Sequence, residues 1–433
     1  MQKTKGNYAT LIKYSQKTLK VNFADARLVK SAKFKTFAPA GALRAVLSAF
    51  LIGKNSAREI EKHLHKLQGF SSWMSRQTIG NLLDEPRTAD FLTCKLLNIF
   101  RVARTNRVFT DLIGGRLVIG LIDGIDLGEV HNGGGRCAYC IERKHNDGSR
   151  FFHRVVVLSV MSKYGPLPIY ARWCRSTELK LNSELLSEER LKSECELSCA
   201  KALLTEVADR FNGRLPFDII ASDALMANAP FMEHVENLGA AGIFIFKQEN
   251  RKLYKQAQAD FCGKTFGFHI HRHQWNADPS GKGRTFASQW GCYNDSNRKG
   301  DKSVRIFSTR RFETDGTQVE GMAITSDRAF ISPELVEAVR FSKWRDLENG
   351  VFNALTNQWG ILKHIFFHKA KAMESVLSLQ FLALTISLFY RYGNLCRGGR
   401  SFTGTLRDFF AHMAFTLDAL LLRKPIAVKC NSP

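Results

Sequence analysis

The 433-residue chain is 44% hydrophobic and 24% charged, with 32 Phe, 32 Gly and only 10 Pro. This balance excludes disordered, collagen-like and repeat-array classes and leaves room for two or three domains, or one core with large insertions. Sixty-three Lys and Arg against 40 Asp and Glu give a net charge of +23, well beyond what solubility needs. The excess recurs in residues 1–36, 247–311 and 351–433, so a polyanionic partner is expected along much of the chain.

Most of the ten Cys are scattered; only Cys137/Cys140 and Cys195/Cys199 are closely spaced. That pattern excludes a disulfide framework and predicts a reducing compartment. The first residues, Met1 to Lys5, lead into a polar, basic stretch with no apolar signal region, so a cytoplasmic, nucleoid-associated protein is expected.

From Pro39 to Arg107 the apolar spacing is helical: Leu43, Val46, Leu47 and Phe50, then Ile60, Leu64 and Leu67, then Ile79, Leu82 and Leu83. Residues 1–112 are therefore expected as a basic helical domain for DNA binding or multimerisation. A short helix starting near Gln77 after Ser72–Arg76 is compatible with a helix-turn-helix in which Arg76 and Gln77 meet DNA. A packed bundle with a basic exterior fits the same pattern.

Residues 113–247 change character. Leu117–Ile122 is an unbroken apolar run ending in Asp123-Gly124-Ile125-Asp126, which predicts a buried strand terminated by carboxylates. Strands follow at Phe151–Met161, Leu167–Trp173, Phe217–Ala221 and Gly242–Phe246, with helices at Glu194–Phe211 and Pro230–Leu238. This order predicts an α/β fold with one mixed sheet flanked by helices. Between the first two strands, His131, Cys137, Cys140 and His145 have the spacing of a small zinc knuckle, with His153 as a further ligand; a metal-free loop is the alternative.

Residues 248–330 are basic and predict a β-rich insertion. Its Arg298, Lys299, Arg310 and Arg311 are candidate phosphate contacts, and Trp290 a candidate for base stacking. The aromatics fit a small core of the insertion equally well. His269, His271 and His273 alternate on one side of a strand, which reads best as a solvated basic strand. Residues 331–395 return to helix, with Trp344, Leu347, Val351 and Leu355 on one face. The uncharged run Ser375–Tyr390 is short for a membrane span and predicts a buried helix. Residues 396–433 form a basic C-terminal segment.

Asp123 and Asp223 each follow an apolar strand, and two strand-end aspartates can share one cleft. Metal-assisted phosphodiester chemistry needs hard oxygen ligands of this kind. Glu348, beside Leu347 in the helical segment, supplies a third. Ordinary caps and surface acids are the competing reading, and Asp126 and Asp218 are rivals for the first two positions.

The segments Leu121–Asp126, Ser222–Phe231 and Trp344–Asn353, with Leu362-Lys363-His364 beyond, resemble bacterial insertion-sequence transposases of the DDE type, over roughly residues 115–390. That resemblance implies a ribonuclease-H-like core and a β-rich insertion before the last catalytic helix. It further implies a metal-binding triad of Asp123, Asp223 and Glu348 and two Mg²⁺ ions, with Mn²⁺ as a substitute. The implied reaction is cleavage at transposon ends followed by strand transfer into double-stranded target DNA, by a homo-oligomer away from any membrane. One departure is clear: the Tyr, Arg and Lys that often flank the helix glutamate are replaced by Phe341, Trp344 and Leu355. Arg340, Lys343 and Arg345 are candidate substitutes for the phosphate contacts. A ribonuclease-H-like nuclease without strand transfer, or a transposase-derived DNA-binding protein, are the alternative readings.

Overall fold

The computed structural model describes residues 6–23, 39–67, 75–110, 113, 115–130, 139–145, 148–174, 188–247, 251–263, 271–275, 285–298, 302–312, 315–360, 367–395 and 404–423. Five helices come first: α1 (Tyr8–Lys17), α2 (Pro39–Leu51), α3 (Ala57–Lys66), α4 (Arg76–Leu83) and α5 (Pro86–Thr105). Their starts follow local chemistry. Ser56 and Ser75 accept from the backbone N–H groups of Glu59 and Thr78, and Pro86 opens α5 where its missing N–H costs nothing.

A ten-stranded mixed sheet forms the centre. Its first half comprises β1 (Ile119–Val130), β2 (Ile141–His145), β3 (Gly148–Val160), β4 (Leu167–Trp173), β5 (Ile219–Ser222) and β6 (Ala241–Phe246). Strand β3 pairs antiparallel with β1 on one side and with β2 and β4 on the other; β1, β5 and β6 run parallel. The second half is β7 (His271–Trp275), β8 (Thr285–Asn294), β9 (Ser303–Phe312) and β10 (Gln318–Ser326), an antiparallel series joined to β6 through β10. The strands of the basic stretch 248–330 therefore continue the central sheet. That stretch also contains a helix the apolar pattern did not announce, α8 (Lys252–Phe261).

Helices cover both faces. On one, α6 (Glu188–Asp209) and α7 (Ala229–Asn237) bury Leu203, Leu204, Phe231 and Met232 against Ile122, Val156 and Ile220. On the other, Ile119, Leu121 and Val155 share a cluster with α2, α4, α5 and the C-terminal helices. Residues 118 to 122 thus feed alternate faces of a sheet buried on both sides, which is why they read as an unbroken apolar run.

The N-terminal helices share their core with the rest of the chain through α10 (Ala370–Leu388), which packs on α2, α4, α5 and β4. This helix is apolar enough to cross a membrane by length and composition, but 89% of that stretch is buried inside the fold. An all-round apolar helix needs such enclosure. Between α9 (Pro333–Ser342) and α10 the chain winds as a π-helical segment, Lys343–Phe352 and Ala354–Gln358. The last helix, α11 (Leu406–Arg423), packs on α1, so part of the basic C-terminal segment belongs to the core.

Candidate active site

The sequence pattern places Asp123 at a strand end, but β1 runs seven residues further, to Val130, held by its antiparallel pairing with β3. What ends nearby is the neighbour. The parallel register Ile119↔Ile219, Gly120↔Ile220, Leu121↔Ala221 brings Asp123 level with Asp223, one residue past the end of β5. Two aspartates thus meet where one strand stops and the other continues, a splay point open to side-chain chemistry.

Asp123 is buried at 8% exposure, and its Oδ1 accepts from the backbone N–H of Gly124 at 2.9 Å. Asp223 is half-buried and caps a short 3-10 turn, Ala224–Met226, by accepting from Leu225 N at 3.1 Å. Asp223 thus serves as a cap, the competing reading of this acid, and a cap holds the side chain in one orientation beside the strand end.

Glu348 is half-buried in the π-helical segment, which packs against β1. Its neighbour Leu347 is fully buried, with Val351 and Leu355, in the cluster that holds Ile119 and Leu121. Residues 119, 121 and 123 share one face of β1, so the segment carrying Glu348 lies over the face that carries Asp123. A π turn widens the residue spacing, and such turns are frequent at functional sites.

The two rival acids have structural partners. Asp218 Oδ2 accepts from Val118 N at 2.7 Å and ties the entry of β1 to that of β5. Asp126 is ion-paired to Arg154 at 2.5 Å.

A further carboxylate joins the group. Glu196 of α6 is 7% exposed, lies against the backbone of Gly124 and faces Arg154 Nη1 at 3.4 Å. Burial pushes its pKa up to about 7; Arg154 pulls against that rise, and the charges of Asp123, Asp223 and Asp126 add to it. Sequence reasoning missed Glu196. Its only signal was an acid among the apolar positions of a helix, and α6 gave no way to tell which strand it would meet.

Several predicted nucleic-acid contacts are structural. Arg298 is 3% exposed and ion-paired to Glu236, which also accepts from Ser326 Oγ at 2.6 Å. Arg340 is engaged by Thr309, by Glu337 Oε2 at 2.9 Å and by the Gly321 carbonyl at 3.4 Å. Trp290 is half-buried, stacked on Phe307 with ring centroids 5.7 Å apart, and Arg305 lies 5.1 Å from its ring. Arg298 ties the β8–β9 connection to α7, Arg340 ties α9 to β9 and β10, and Trp290 packs across β8 and β9.

Other candidates stay at the surface. Arg310 pairs with Glu320 at an exposed position, and Arg311 is half-buried. Arg76 is exposed at the start of α4 and bonded to Glu61, and Gln77 donates to Asn81 Oδ1 at 2.9 Å. Lys299, and the side chains of Lys343 and Arg345, lie outside the described residues. Leu355, at the position where the related pattern has Lys, is fully buried core.

Only part of the expected zinc knuckle falls within the described residues. Cys137 and His131 lie outside the described residues, but Cys140, His153 and His368 converge, with ligand atoms all within 4.8 Å of one another. The side chain of His145 lies outside the described residues. Burial, with His368 beside it, pulls the pKa of His153 down to about 4.

No family model matches the chain, and no curated protein matches it. Among solved structures it is similar to a piggyBac transposase, determined by cryo-electron microscopy as a synaptic complex with hairpin DNA. The TM-score is 0.41 and the identity 12%, over 98% of this chain and 80% of that chain.

Proposed function

We propose that the chain is a DDE-type transposase, which uses divalent metal to cleave DNA at the ends of a mobile element and joins the freed 3′ end to target DNA. The observation that carries this reading is the register that sets Asp123 level with Asp223, beneath the segment bearing Glu348. The antiparallel order β4–β3–β1 followed by parallel β5 and β6 supports a ribonuclease-H-like core as the scaffold. The net charge of +23 supports a polyanionic substrate.

The carboxylates fit Mg²⁺. They are hard oxygen donors on rigid elements; the pKa of Glu196 is raised chiefly by burial, and the charges of Asp123, Asp223 and Asp126, which add to the rise, are ones a cation would offset. Bound Mg²⁺ would act as a Lewis acid toward the attacking oxygen and the scissile phosphate. Asp123 and Asp223 would hold it from the sheet and Glu348 from the π-helical segment. Arg154 fixes Asp126 and Glu196 behind them, which keeps that side of the site rigid. The DNA track would run over exposed basic residues such as Arg76 and Arg310, in the cytoplasm at the nucleoid.

The test is incubation of purified protein with labelled DNA carrying the termini that flank its gene, in Mg²⁺ or Ca²⁺, beside Asp223→Asn. Mg²⁺-dependent nicking at the terminus and joined products, both absent from the variant, are the expected result. Nicking without joining would reduce the reading to a nuclease. Tight binding without cutting in any metal would overturn the enzymatic reading.

A further inference from the structure

Outside the carboxylate group, the molecule holds one cluster of soft metal ligands among the described residues. Cys140 precedes β2, His153 lies within β3 and His368 stands just before α10, so three elements far apart in sequence supply one side chain each. Cys140 Sγ is 3.4 Å from His153 Nε2 and 3.2 Å from His368 Nε2. A tetrahedral zinc with Zn–S near 2.3 Å and Zn–N near 2.0 Å has S···N edges of about 3.5 Å. The two sulfur edges are within a few tenths of an ångström of that figure.

The surroundings suit a closed site. Cys140 and His153 are buried at 4% and 0% exposure, and His368 is half-buried. The His153 and His368 rings meet edge to face with centroids 5.2 Å apart, and His153 also abuts Trp173, on which Tyr139 stacks. Tyr139, next to Cys140, donates to Glu374 of α10, so the thiol's backbone is already anchored to the element that follows His368. A thiolate with imidazoles is the donor set of zinc and a poor one for Mg²⁺.

We infer that Cys140, His153 and His368 bind a zinc ion that fastens the β2–β3 hairpin to the chain leading from the π-helical segment into α10. Three ligands leave one tetrahedral position for a further donor. The ion would join two parts of the chain more than 200 residues apart, tying the sheet that carries Asp123 to the chain that follows the Glu348 segment. It is a site distinct from the carboxylates and holds independently of whether the protein cuts DNA.

The test is elemental analysis of the full chain purified without chelator, as wild type, His368→Ala, Cys140→Ser and His145→Ala. About one zinc per chain is expected in the wild type and in His145→Ala, with roughly tenfold less or lower in the other two. A wild type without zinc would overturn the inference in favour of a hydrogen-bonded, metal-free cluster; a wild type holding copper instead would overturn the metal assignment, and full zinc in His368→Ala would overturn the ligand set. Should the ligand variants fail to fold, Co²⁺ added to the wild type decides. Intense visible bands of four-coordinate cobalt with a thiolate charge-transfer band support the site, and their absence overturns it.

Discussion

The carboxylate of Glu196 fills the space that a side chain at Gly124 would need: a Cβ built there would stand 2.5 Å from Glu196 Cδ. Glycine at 124 therefore lets α6 bring a buried acid onto β1 one residue from Asp123. Because Arg154 and burial restrain Glu196, the acid cannot simply swing aside. Gly124→Ala should cost about 1–3 kcal/mol of stability, measured by urea unfolding. In a Glu196→Ala background the same change should cost far less; equal costs in both backgrounds would remove Glu196 as the reason for the glycine.

Glu196 also makes a signed prediction about pH. Its folded pKa of about 7 stands above its ordinary value of 4.5. Between those values the folded protein holds a proton the unfolded chain has released, so this contribution is complete below pH 4.5 and is lost as pH rises to 7. Relative to Glu196→Gln, metal-free wild type should lose up to about 3 kcal/mol across that window. Buried His63 and His153, both pulled down to about 4, give the opposite slope in both proteins, so it cancels in the difference. A flat difference in chelator-treated samples would contradict the assignment.

Asp123→Asn, Asp223→Asn and Glu348→Gln should each reduce DNA cleavage by about a hundredfold or more while DNA-end binding persists. Mg²⁺ should raise the melting temperature of the wild type and have a smaller effect on each variant. A variant that still cuts at the wild-type rate leaves the triad.

Arg298 and Arg310 separate structural from surface arginines. Arg298→Ala leaves half-buried Glu236 without its charge partner and should cost about 2–4 kcal/mol. Arg310→Ala, at an exposed pair with Glu320, should change stability by less than about 0.5 kcal/mol. If Arg310 lies on the DNA track, its replacement weakens DNA binding and lowers the salt dependence. Thermal unfolding and binding titrations at two salt concentrations check both.

Gln380 is fully enclosed in α10, and neither end of its amide has a hydrogen-bond partner among the described residues. Gln380→Leu should raise stability by about 1–3 kcal/mol, since an unpaired buried amide carries its full desolvation penalty. A destabilised variant would show that the amide is satisfied, by water or by a partner it meets in solution.

Much of the sheet was legible because its signals are local. The apolar run before Asp123, the strands at Phe151–Met161 and Leu167–Trp173 and the strand at Gly242–Phe246 all appear close to their expected places. The segment around Glu348 is expected from the sequence as an amphipathic helix and appears as a π-helical segment, because the apolar spacing 347, 351, 355 suits either winding. Helix α8 is not announced because its basic surroundings read as a β-rich insertion and its apolar positions span only ten residues. Arg298, Arg340 and Trp290 are candidate DNA contacts because their residue types suit phosphate and base; the fold uses the same chemistry on itself.

From the sequence by itself came the period of each element, the charge of the molecule and the residue types able to hold hard and soft metals. Those depend on neighbours within a few positions, where backbone geometry fixes which side chains share a face. Only the tertiary structure decided that Asp123 stands level with Asp223, that Glu196 rests on Gly124 and that His368 meets Cys140. Pairing register and helix docking are set by burial summed over the whole core, and no spacing along the chain records which distant side chains that burial brings together.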